Sequence, residues 1–259
     1  MPETVALHHV VAGPDDAHVV LMGGSLGATL ATWDAQAAAL AGQFRVVRFD
    51  HRGHGGSPVP PGPYEIADLG RDVLALLDAL GAERASYCGL SIGGMAGMWL
   101  AAHAPERIDR LALFCTSAHH APPEAWAERA VAVREAGSTE VVADAVVARW
   151  LTPAYAREHP DDAAMLRGML TSTSPEGYAA CCRAIERMDL RRDLPRIQAP
   201  TLVVVGAQDP ATPPEHGETI AALIPGARLE VLSPSAHNPA VERADDVTAL
   251  IRAHLAPAA

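Results

Sequence analysis

Residues 89–93 read Gly-Leu-Ser-Ile-Gly, a serine with glycines two positions to either side. Such a serine can be an acyl-transfer nucleophile, provided a sharp turn between a strand and a helix presents its hydroxyl. A serine hydroxyl is a weak nucleophile at neutral pH and needs a base, which itself needs an orienting acid. In the chain order Ser, acid, His, the acid follows a late strand and the histidine lies nearer the C-terminus. Asp209 in GAQDPATP and His237 in LSPSAHNP meet that order. Each also has an ordinary reading: Ser91 as a helix cap, Asp209 as a turn residue before Pro210, His237 as a loop residue. An oxyanion formed on the substrate carbonyl needs two N–H donors. Ile92 would supply one, and Leu26 or Ser25 in the loop Gly23-Gly24-Ser25-Leu26-Gly27 the other. The loop histidines His51 and His54 lack the companion ligands of a metal centre, so no metal is expected.

These residues can meet only if the fold brings strand ends together. Apolar runs at 18–22, 44–50, 86–90, 108–116, 201–206 and 227–232 read as strands. Helical spacing recurs at Ile66, Leu69, Val73, Leu76, Leu77 and Leu80, and a closing helix runs through Val241, Ala244, Val247, Leu250 and Ile251. Strands alternating with helices predict an α/β class with a mostly parallel central sheet flanked by helices. Ser91, Asp209 and His237 all follow strand ends, where open α/β sheets build sites. From 124 to 188 only helical patterns occur. The expected organisation is a core of 1–121 and 196–259 carrying an inserted all-helical cap at 122–195.

Composition narrows the partners. The 259 residues carry 31 acidic and 20 basic side chains, a net charge of −11. That balance disfavours nucleic acid and anionic membrane surfaces. The N-terminus lacks a basic segment and carries Glu3, and no apolar run suits a membrane span, so a cytoplasmic protein is expected. Cys88, Cys115, Cys181 and Cys182 form no CxxC pair and read as buried free thiols.

Over nearly its whole length the chain resembles α/β-hydrolases, and more narrowly the 3-oxoadipate enol-lactonases. The resembling stretches are GGSLGATLATWDAQ, FRVVRFDHRGHGGSPVPPGPYEIADLGRDVLALLDALG, CGLSIGGMAGMWLAAHAPERI, ARWLTPAY and SAHNPAVERAD. Gly24 and Asn238 depart from that family, whose members usually carry Asn and an apolar residue there. The resemblance implies the α/β-hydrolase fold and hydrolysis of a small anionic lactone to 3-oxoadipate, without cofactor. Another esterase or lactonase, a cofactor-free haloperoxidase or perhydrolase, and a non-catalytic binder of the same fold remain open. The substrate carboxylate needs a cation, and the helical segment offers Arg129, Arg134 and Arg149. Arg134, with Trp150 as an apolar wall, is the expected pair, and Trp126 is equally a residue of the cap's own core.

Overall fold

The computed structural model describes residues 4–256, so Glu3 lies outside the described residues. The chain runs β1 (His9–Ala12), β2 (Val19–Gly23), α1 (Asp34–Leu40), β3 (Arg45–Phe49), α2 (Ile66–Ala79), β4 (Ala85–Leu90), α3 (Ile92–His103) and β5 (Ile108–Phe114). Helices α4 (Glu124–Ala136), α5 (Glu140–Trp150), α6 (Pro153–Glu158), α7 (Pro160–Ser172) and α8 (Pro175–Arg187) follow. The chain closes with β6 (Thr201–Gly206), α9 (Pro214–Leu223), β7 (Arg228–Leu232), α10 (Pro239–Glu242) and α11 (Ala244–Leu255).

Among the described residues the strands form one sheet in the order β1-β3-β2-β4-β5-β6-β7. All neighbours are parallel except the β1–β3 edge pair. Alternation along the strands feeds two cores. Leu21, Tyr87 and Val203 enter the core on one face; Met22, Cys88 and Val204 enter the other, with Trp33 and Ile251. The first core continues without a break into α5, α7 and α8 through Trp150, Leu170 and Tyr178. The helical segment therefore has no separate hydrophobic centre and is held by the sheet's own core.

Local signals set the helix ends. Glu65 and Asp68 form a reciprocal capping box at α2, and the Ser174 side chain accepts from the Gly177 N–H at α8. Two details differ from the sequence reading. Strand β1 joins the sheet from a half-exposed four-residue segment whose apolar stretch is only Val10 to Ala12. The closing helix is two helices, because Arg243 leaves the helical region at φ −132° and ψ 48°.

Candidate active site

Strand β4 ends against α3 at Ser91, whose backbone is held at φ 56° and ψ −115°. That conformation costs a non-glycine residue about 1–3 kcal/mol and persists only where neighbours over-determine it. Here they do. The Ser91 N–H donates to Phe114 O at 3.0 Å, and the Thr116 hydroxyl donates to Ser91 O at 2.6 Å. Gly93 lies so close to the 23–27 loop that a Cβ there would sit 2.3 Å from Gly23 O. The Gly93 N–H in turn donates to Gly24 O at 3.1 Å. Turn and loop are thus locked together.

Both expected oxyanion donors lie in this junction. Ile92 opens α3, so its N–H has no acceptor within the helix. Leu26 lines the same cavity as Ser91, and among the described residues its N–H has no acceptor. Ser25 is buried beside it, and its carbonyl accepts from the Ala28 N–H at 3.0 Å. Gly27 closes the loop at φ +84° and donates its N–H to His54 Nε2 at 2.8 Å. His54 Nδ1 is 3.1 Å from Arg52 O, so Nδ1 carries the proton and Nε2 accepts. Burial pushes His51 down to about 3 and lowers His54 as well. Both rings are neutral braces under the loop. Asp50 ties this layer down: Oδ1 accepts from the Leu30 N–H at 2.6 Å and Oδ2 from the Gly56 N–H at 2.9 Å.

Asp209 and His237 follow β6 and β7. His237 Nδ1 lies 2.8 Å from Asp209 Oδ2. The other carboxylate oxygen accepts the Ala211 and Thr212 N–H groups at 2.7 and 3.0 Å. Burial works against the Asp209 charge, but the His237 ring and the Thr212 hydrogen bonds outweigh it, and its pKa falls below the ordinary carboxylate range. A carboxylate at Nδ1 holds the proton there and leaves the Nε2 lone pair of a neutral ring available as base. Cys115 Sγ lies near this pair, but burial pushes its thiol far up. His237 Nδ1 and Asp209 Oδ2 are already engaged with each other in this cluster.

Ser91, Leu26 and His237 floor a cavity of about 230 Å³. Trp126, Arg129, Val146, Arg149 and Trp150 from α4 and α5 form its other side. Trp150 is where the sequence reading expects it, and Trp126 is a wall as well. Arg134 is not. It pairs with Glu176 at 3.0 Å near the solvent. Five residues along a helix turn about 140°, so Arg129 and Arg134 cannot face one cavity. Arg129 stacks over Trp126, its guanidinium 4.6 Å from the ring centre. Among the described residues neither Arg129 nor Arg149 has a carboxylate within ion-pair reach. Both are arginines, as are all 20 basic residues of this lysine-free chain. The cavity is therefore a positive recess in an acidic protein. Sequence reasoning also missed His120, a buried cavity residue pushed down to about 3 by burial and then by His216. It lies just past the end of β5, the kind of position that marked Asp209 and His237.

The α/β-hydrolase fold model matches residues 17–244. The chain belongs to the α/β-hydrolase family. It is 40% identical to 3-oxoadipate enol-lactonase 2 of Acinetobacter baylyi over 249 residues, 93% of each chain. The enol-lactonase of Burkholderia xenovorans LB400 superposes with a TM-score of 0.94 at 43% identity, covering 97% of this chain and 96% of that one. A thermophilic esterase from Thermogutta terrifontis gives 0.91 at 31% identity, covering 96% and 92%. This α/β-hydrolase is an enzyme of the ester and lactone class. Among its described residues no helix is long and apolar enough to cross a membrane.

Proposed function

We propose that this hydrolase opens 3-oxoadipate enol-lactone through an acyl-enzyme on Ser91, with segment 122–195 acting as a cap that selects an anionic substrate. One observation carries the substrate class: two arginines without carboxylate partners share a cavity with Ser91 and His237. A guanidinium can grip a carboxylate with two parallel hydrogen bonds. Similarity to two enol-lactonases supports the particular lactone.

His237 takes the Ser91 proton through Nε2 as Oγ attacks the lactone carbonyl. The Leu26 and Ile92 N–H groups hold the oxyanion, and Asp209 holds the imidazolium. Collapse breaks the ring C–O bond. The leaving enolate takes the proton from His237 and ketonises. Water then attacks the acyl-enzyme while His237 removes its proton, and Ser91 is regenerated as 3-oxoadipate departs. No cofactor enters this sequence. Buried thiols, with Cys88 and Cys182 both raised to about 12 by burial, suit a reducing cytoplasm.

The test is turnover of the enol-lactone and of neutral aryl esters by wild type and Ser91→Ala. Lactone turnover that Ser91→Ala nearly abolishes is expected. Retained activity in that variant would refute the nucleophile. Fast aryl-ester hydrolysis without lactone opening would instead make this a carboxylesterase.

A further inference from the structure

Glu242 is a buried carboxylate at the end of α10 that the reaction does not use. Among the described residues no basic side chain pairs with it; its partners are neutral donors. Oε2 accepts the Ala236 N–H at 2.8 Å, one residue before His237. Oε1 accepts the Thr152 N–H at 3.1 Å and also the Thr152 hydroxyl. One carboxylate thus bridges the His237 loop and the corner between α5 and α6.

Three more contacts run between the same two segments. The Asn238 N–H donates to Trp150 O at 2.8 Å, and the His237 N–H to Arg149 O at 3.4 Å. The Tyr155 hydroxyl is 3.3 Å from Val241 O. The last residues of α5 therefore serve twice. Their side chains wall the cavity, and their carbonyls hold the backbone of the His237 loop. Each backbone contact alone is a single neutral hydrogen bond. Among the described residues Glu242 is the one carboxylate that accepts from both segments, and hydrogen bonds to charged groups are roughly twice as strong.

We infer that Glu242 is a positioning residue that clamps the α5–α6 corner to the 236–238 loop, so that the substrate walls and the base are set as one body. The inference rests on the proposed roles of His237 and the cavity arginines. It implies that losing Glu242 damages chemistry as well as binding, because the clamp fixes the base itself.

The experiment compares Glu242→Gln, Glu242→Ala and Thr152→Val on the enol-lactone and on p-nitrophenyl acetate, a small neutral acyl donor. Glutamine has the same shape but turns one acceptor into a donor, so it must face an N–H at one end. It should lower kcat about tenfold on both substrates and raise KM for the lactone only. Glu242→Ala should lower kcat about 100-fold, the cost of misplacing a catalytic group by about 1 Å. Thr152→Val should share its defect with Glu242→Gln, the double variant being no worse than the single. Thermal melts confirm that each variant is folded at the assay temperature. A kcat within about twofold of wild type on both substrates in Glu242→Gln overturns the clamp, as does a defect confined to KM for the lactone. Should wild type leave the lactone untouched, p-nitrophenyl acetate still decides the clamp, whereas Ser91→Ala decides the nucleophile.

Discussion

Replacing Gly93 by alanine sets two physical effects against each other. Gly93 is in α3, and alanine in a helix is favoured over glycine by about 1 kcal/mol. Propensity alone therefore forecasts a more stable protein. Packing forecasts the reverse. The added Cβ would lie 2.3 Å from Gly23 O, 2.7 Å from Gly23 C and 2.9 Å from Gly24 O. An ordinary carbon–oxygen contact is about 3.3 Å, so loop and helix must separate by about 1 Å. These neighbours are backbone atoms, which cannot rotate away. Overpacking of this kind costs about 1–3 kcal/mol. The moving loop carries Leu26, whose N–H is a proposed oxyanion donor. Withdrawing one such donor costs about 100-fold or more in kcat. The expected variant is folded, less stable, and at least about 100-fold slower on lactone and aryl ester alike. Melting curves and steady-state kinetics measure both. Gly168→Ala is the control: it lies on the exposed side of α7 with nothing within 4 Å of its added Cβ. It should gain about 0.5–1 kcal/mol and leave kcat alone. If Gly93→Ala behaved like Gly168→Ala, the locked junction of turn and loop would be wrong.

Arg129→Met and Arg149→Met keep the apolar stem and remove the charge. Each should raise KM for the anionic lactone about tenfold or more and leave neutral esters within about threefold, by steady-state kinetics on both. Asp209→Asn should lower kcat by about 10⁴. The same variant has a pH signature. Because the folded-state pKa of Asp209 is lowered, its ionised form stabilises the fold above the ordinary carboxylate pKa of about 4, and that contribution fades as pH falls through the lower folded value. Denaturant unfolding should show the gap between wild type and Asp209→Asn steady above about pH 5 and narrowing below about pH 4. Asp72→Ala strips the buried Arg52 of its bidentate carboxylate, held at 2.6 and 2.7 Å. A loss of about 3–5 kcal/mol in unfolding free energy is expected, with kcat of the folded fraction little changed.

How much was legible follows from what each feature depends on. The strand-end placement of Ser91, Asp209 and His237 was readable because each sits just past an apolar run, and strand ends converge in a parallel sheet. The helical segment was readable from the disappearance of such runs after residue 123. Which arginine faces the cavity was not. That depends on the rotation of α4, and α4 packs against both α8 and α5, so it shows no single apolar stripe to give its phase. The strand β1 escaped notice because it is an edge strand of four residues, too short for its Val10 to Ala12 stretch to stand out as a strand signal. Glu242 was hidden for another reason. Its partners Ala236 and Thr152 are 6 and 90 residues away, and no short motif records the second distance.

The helical segment leaves after β5 and returns ahead of β6, and its two ends touch: His119 and Asp189 form a β-bridge, and the Leu190 N–H donates to Ala118 O at 2.8 Å. Its two attachment points are therefore adjacent, so a segment of another length could close on the same core without altering strand order. That makes it the natural unit to exchange when new substrates are wanted. A grafted segment, however, must bring more than a new lining. It must place two carbonyls and one hydroxyl where Arg149, Trp150 and Thr152 place theirs, or the loop bearing His237, the proposed base, loses its seat. Grafts between relatives should therefore be aligned on the backbone at the α5–α6 corner before any cavity residue is chosen.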